Sequence, residues 1–172
     1  LRPRFPISAC DTSQPIARPV TAARDLSSST IFHVLNRGAD RQNIFWKDRD
    51  RKVFLEMFSE RAERHSVSVL AYALMSNHYH AVLDVENGDL PSMMREFQAC
   101  YAQRLNLRTD RTGPLFERRY TSVPITDDAQ FVQTVRYVHR NPVAITGVAG
   151  LVAWKWSSLG PAVTGARHPS WL

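Results

Sequence analysis

Two imidazoles and a distant phenol are the side chains whose types and spacing could do chemistry here. His78 and His80 lie inside the stretch 71–85, AYALMSNHYHAVLDV, where apolar residues recur with a period of two. That period reads as a strand carrying both rings on one face. At a rise of about 3.3 Å per residue, their alpha carbons sit roughly 6.6 Å apart. Both rings can then converge on one cation, and imidazole suits borderline metals such as Zn, Mn or Fe. A His-x-His pair alone is a weak motif. It gains weight if another segment supplies a nucleophile and a further ligand.

The segment 127–143, DDAQFVQTVRYVHRNPV, offers one. Phe131, Val135 and Val138 make an apolar stripe that would dock on a sheet. Gln130, Gln133, Tyr137, Arg140 and Asn141 share another face at i, i+3, i+4 spacing. A tyrosine with an amide one turn before it and another one turn after is unusual for plain packing. Taken alone Tyr137 is a packing residue; beside His78 and His80 it is a candidate nucleophile.

The elements that must position these groups follow from local pattern. Residues 31–36 read as a first strand, closed by a turn at 37–40. Asp48 or Asp50 caps a helix running to about residue 64. Residues 67–75 form a second strand, Ser76 and Asn77 a turn, and 78–85 a third strand pairing with the second. Pro91 opens a helix reaching about residue 107. A fourth strand covers 119–125, and Asp127 or Thr126 caps a last helix that Pro142 stops. The order predicts an α+β fold: a ferredoxin-like, split βαβ antiparallel sheet with helices on one face and an added C-terminal, tyrosine-bearing helix. The third strand would lie near the sheet centre, a rigid mount for a metal site. Tyr79 then points away from the histidines into packing, whereas Asp84 shares their face. His33, His65 and His168 have no partner pattern, and His139 reads as structural.

Chain organisation divides into an extended or disordered arm at 1–29, with four prolines and no period, a catalytic domain at 30–147, and a segment at 148–172 that Leu151, Trp154 and Trp156 fasten to it. The length of 172 residues suits one domain with a real core. No apolar run approaches a membrane span. Cys10 and Cys100 are too few for a disulfide framework, so reduced cytosol is the natural compartment. Net charge is +6, and the basic residues are 19 Arg against 3 Lys. Arginine's planar fork suits phosphates and stacking on bases. The crowding of arginines in the second half, with Arg37 and Arg41 beside the first strand, points to a polyanion.

Five ordered motifs carry a resemblance: FHVLNRG at 32–38, ALMSNHYH at 73–80, GPLFERRY at 113–120, RYVHRNPV at 136–143 and WKWSS at 154–158. Over residues 31–160 the chain resembles the single-tyrosine, His-hydrophobe-His transposases, especially the branch associated with repetitive extragenic palindromes. The resemblance implies an enzyme that cleaves and rejoins single-stranded DNA at hairpins or palindromes. It implies Tyr137 as nucleophile and His78 and His80 as metal ligands. A third ligand from the tyrosine helix falls on Asn141, with Gln133 its rival; Pro142 biases Asn141 away from helical geometry. The cofactor implied is a divalent metal, Mg²⁺ or Mn²⁺. DNA contacts are expected from Arg37, Arg41, Arg118, Arg119, Arg136 and Arg140. Such a protein would work in the cytoplasm, on nucleoid DNA, as a monomer or a homodimer.

The chemistry expected of these residues is a transfer in which the phenol attacks phosphorus, leaving a 5′-phosphotyrosine and a free 3′-hydroxyl. An unperturbed phenol titrates near 10, so a neighbouring cation such as Arg136 or Arg140 must stabilise its charge. Two other readings stay open: a domesticated, non-cleaving binder of single-stranded DNA, and a hydrolase in which the histidines hold zinc.

Overall fold

The computed structural model describes residues 30–165; the expected N-terminal arm and His168 lie outside them. Four strands run β1 (Ile31–Arg37), β2 (Ser68–Leu74), β3 (His78–Asp84) and β4 (Thr121–Ile125). The helices are α1 (Asp48–Arg64), α2 (Leu90–Thr109), α3 (Asp128–Arg140), α4 (Val143–Thr146) and α5 (Leu159–Thr164). The sheet order is β2-β3-β1-β4 with every pair antiparallel. This is the expected split βαβ topology, with β3 inside the sheet.

Strand periodicity sorts the side chains. Phe32, Val34, Tyr79, Ala81 and Leu83 face α1 and α2, which bury Phe54, Phe58, Met93, Met94, Phe97 and Tyr101 against them. Phe54 sits at the middle, its ring 4.7 to 5.1 Å from those of Phe45, Tyr79, Phe97 and Tyr101. Tyr79 is thus fully buried in packing, as its parity predicts. The last long helix does not join α1 and α2. Through Phe131, Val135 and Val138, α3 packs on the opposite face, against Ala71, Ala73, Val82 and Ile125. That face is the one carrying His78 and His80. Small alanines on β2 let the helix backbone approach closely.

Several local expectations change. Lys47, not an aspartate, is the N-cap of α1, and Asp50 reaches back from the third helical position to accept the Trp46 and Lys47 N–H groups. Asp89 and Asp127 cap α2 and α3 in the ordinary way. Cys100 is buried on α2, and Cys10 lies outside the described residues. Beyond β1 the chain folds back tightly. Gly38 has no room for a side chain, since a Cβ there would collide with the Gln42 carbonyl oxygen. A 3-10 turn (Ala39–Arg41) follows, with Asp40 and Arg41 in the left-handed region at φ 51° and 57°.

Candidate active site

The antiparallel register of β1 with β3 sets the site. Arg37 stands opposite His78, Leu35 opposite His80 and His33 opposite Val82. Their side chains alternate, so His33, Arg37, His78 and His80 share one face, with His33 diagonal to His80. The docking of α3 on this face then brings Tyr137 over the imidazoles. Its ring centroid lies 5.5 Å from that of His80 and 5.9 Å from that of His33, edge-on to both. The tyrosine keeps 55% of its surface, so its hydroxyl stays open to a large substrate.

The end of α3 explains how Asn141 is held. Pro142 has no N–H to give the Val138 carbonyl, and the Asn141 N–H bonds there instead. The Tyr137 carbonyl so released accepts from Asn141 Nδ2 at 3.1 Å. The residue remains right-handed helical at φ −50°, ψ −41°, contrary to the expected pre-proline bias, because the chain runs on through Pro142 into α4. The Asn141 side chain also lies beside His78, near enough to act on its pKa. Gln133, its rival, lies exposed two turns back.

Hydrogen bonds orient the rings. His78 Nδ1 donates to Asn77 Oδ1 at 2.7 Å, and that amide is oriented by donating its Nδ2 to the Arg41 carbonyl. The His78 lone pair is therefore on Nε2. His80 Nδ1 lies 3.0 Å from His33 Nε2, the two rings nearly coplanar with their centres 5.2 Å apart. Burial lowers the pKa of His33, and of His78, where the Asn141 amide opposes it and proximity to Arg37 adds to it. His80 is pushed down to about 3 by burial first, then by His33, His78 and Arg37. All three imidazoles are neutral at neutral pH, the form that binds cations.

Among the described residues, no group of three or more His, Cys, Asp or Glu is arranged to hold an ion. The donors gathered here are two neutral imidazoles and an amide whose oxygen is left over once Nδ2 is committed. This set fits a divalent cation that keeps positions open for substrate oxygens. Asp84 is at the far end of β3, opposite Ile31, and accepts from the Glu86 N–H. His33, which sequence reasoning left without a partner, is part of the cluster. His65, likewise unpartnered in sequence, bonds Glu96 at 2.9 Å, and His139 bonds Ser158 at 2.9 Å.

Of the arginines, Arg37, Arg41 and Arg118 lie on segments tied together beside the β2–β3 turn. Gly38 N–H bonds the Asn77 carbonyl, Glu117 N–H bonds the Arg37 carbonyl, and Asn36 Nδ2 bonds the Arg118 carbonyl. Arg119 follows directly, and all four side chains are exposed. Arg136 and Arg140 are exposed on α3, with no ion pair among the described residues.

A ferredoxin-like α+β domain with a tyrosine helix laid over paired histidines is what the fold and site define. The model of the IS200-like transposase family matches residues 26–141, more than half of the chain, and the chain belongs to that family. It is a DNA transposase. Its fold is similar to that of a REP-associated tyrosine transposase solved bound to a REP hairpin, at 15% identity and a TM-score of 0.68, covering 88% of this chain and 89% of that one. A Deinococcus radiodurans R1 protein described as a transposase is similar at 13% identity and a TM-score of 0.48, covering 70% and 97%. No curated protein matches the chain. No helix among the described residues is long and apolar enough to cross a membrane.

Proposed function

We propose that this transposase cleaves and rejoins single-stranded DNA at hairpin or palindromic sequences through a 5′-phosphotyrosine, with Tyr137 as nucleophile and a divalent metal, Mg²⁺ or Mn²⁺, held by His78, His80 and Asn141. The observation that carries the reading is the meeting of Tyr137 with His80 and His33, 5.5 and 5.9 Å between ring centres, on one side of the sheet. When bound, the cation supplies Lewis-acid polarisation of the scissile phosphate.

The chain's own residues do the rest. Tyr137 Oη forms a bond to phosphorus, the bond to the 3′-oxygen breaks, and that oxygen leaves as a 3′-hydroxyl after taking up a proton. The phenolic proton passes to solvent, since the hydroxyl is open to water. Arg136 and Arg140, exposed beside the tyrosine, stabilise the charge on the phenolate and phosphate. Because the phosphotyrosine conserves the energy of the broken bond, another strand's 3′-hydroxyl can reverse the step and restore the phenol. Arg37, Arg41, Arg118 and Arg119 hold the DNA backbone at the His78 end of the sheet. The catalytic unit is residues 30–147, working in the cytoplasm on nucleoid DNA.

Incubation with a labelled single-stranded hairpin and Mn²⁺, followed by a denaturing gel, tests this. A covalent protein–DNA band is expected from the wild type and none from Tyr137→Phe, with rate losses of at least about a thousandfold. A Tyr137→Phe variant that still cleaves would favour hydrolysis at a histidine-bound metal. Binding without any cleavage in either protein would favour the non-cleaving reading.

A further inference from the structure

We propose that His33 is a positioning residue: its Nε2 accepts the Nδ1–H of His80 and fixes the tautomer in which the His80 Nε2 lone pair faces the cation. The inference rests on the metal reading given above and adds a residue to it. Its basis is geometric. The two nitrogens are 3.0 Å apart, and the rings lie edge to edge with their centres 5.2 Å apart and 22° between planes, as an in-plane N–H···N bond requires. The contact is built by strand register, since His33 and His80 are diagonal neighbours on paired central strands.

The need for such a partner follows from the chemistry. A neutral imidazole has one proton for two nitrogens, and a ligating ring is oriented by donating its other N–H to an acceptor. His78 has that acceptor in Asn77 Oδ1. For His80 the atom against Nδ1 is His33 Nε2, so His33 must keep its own proton on Nδ1. The reverse arrangement would turn the His80 N–H toward the cation and leave it no ligand there. His33 also borders the Tyr137 ring, so one side chain braces both the ligand and the nucleophile.

Long-range ¹H–¹⁵N spectra of the metal-free, full-length protein read the tautomer directly, and Mn²⁺ binding followed by EPR reads the consequence. The wild type should show the His80 proton on Nδ1. His33→Leu should give a mixture of His80 tautomers and lose about 10- to 100-fold in Mn²⁺ affinity. His33→Gln, whose carbonyl can accept, should recover most of that affinity. A wild-type His80 protonated on Nε2 overturns the proposal whatever the variants do, so it stays decidable if His33→Leu fails to fold. His33→Leu binding Mn²⁺ as tightly as a wild type that binds it overturns the role of His33 alone. A wild type that takes up no Mn²⁺ overturns the metal reading and this role with it.

Discussion

At the scale of single residues, Asn141 and Gln133 make the sharpest contrast. Each stands one turn from Tyr137, on opposite sides, and the sequence does not choose between them. Pro142, whose missing N–H shifts the bonding of the last turn, leaves the Asn141 amide beside His78, and the proposed ligand set takes Asn141 on that ground. Asn141→Ala should lower Mn²⁺ affinity by more than about tenfold, while Gln133→Ala leaves it unchanged in the same titration calorimetry. An equal effect of the two would remove Asn141 from the proposed ligand set. The shared face of His78 and His80 and the place of Tyr137 on its helix were legible because spacing along one strand or helix is a local property. His33 was not. Its partner is 47 positions away, and only the register of β1 against β3 reveals that their rings meet.

At the scale of elements, the order of strands and helices followed from period and punctuation, yet the side of the sheet taken by α3 did not. Both faces of β2 and β3 are apolar. Ala71, Tyr72, Ala73 and Leu74 are all buried, as are Ala81, Val82 and Leu83, so alternation cannot say which face meets which helix. The pairing of α1 with α2 was also hidden, because it is held in part by charge. Glu96 on α2 bonds Arg64 at 2.6 Å and the ring at the α1 C-cap, His65, at 2.9 Å. The His65 hydrogen bond first, then Arg64 and Arg61, depress the Glu96 pKa. A depressed carboxyl stabilises the fold above its unfolded value and loses that contribution as pH falls through its folded value. Glu96→Gln should therefore cost about 1–2 kcal/mol in urea unfolding at pH 7 and less at pH 3. A cost that is the same at both values would assign it to packing instead.

At the scale of the whole molecule, the excess of arginine over lysine pointed to a polyanion before any fold was known, but not to where the polyanion lies. The folded chain gathers Arg37, Arg41, Arg118 and Arg119 from segments far apart in sequence to the end of the sheet where His78 stands. If this is where the DNA backbone runs, replacing Arg37 and Arg41 together by Ala should reduce the slope of log K against log salt by about 1.4, near 0.7 for each single-strand phosphate contact. A variant that binds more weakly at every salt concentration with an unchanged slope would place the phosphates elsewhere. Fluorescence anisotropy with a labelled hairpin across a salt series reads both quantities.

The stretch after α4 has a further consequence. Leu74 N–H bonds the Trp156 carbonyl, Ser158 N–H bonds the Tyr72 carbonyl, and Ala73 bridges Ser157, so the outer margin of β2 is already spoken for along those residues. The opposite margin, β4, is five residues long and interrupted by Pro124. Neither border leaves a long ladder for an incoming chain to extend. Among the described residues, fibre-like growth by strand recruitment is disfavoured from both sides, which leaves faces and side chains for self-association.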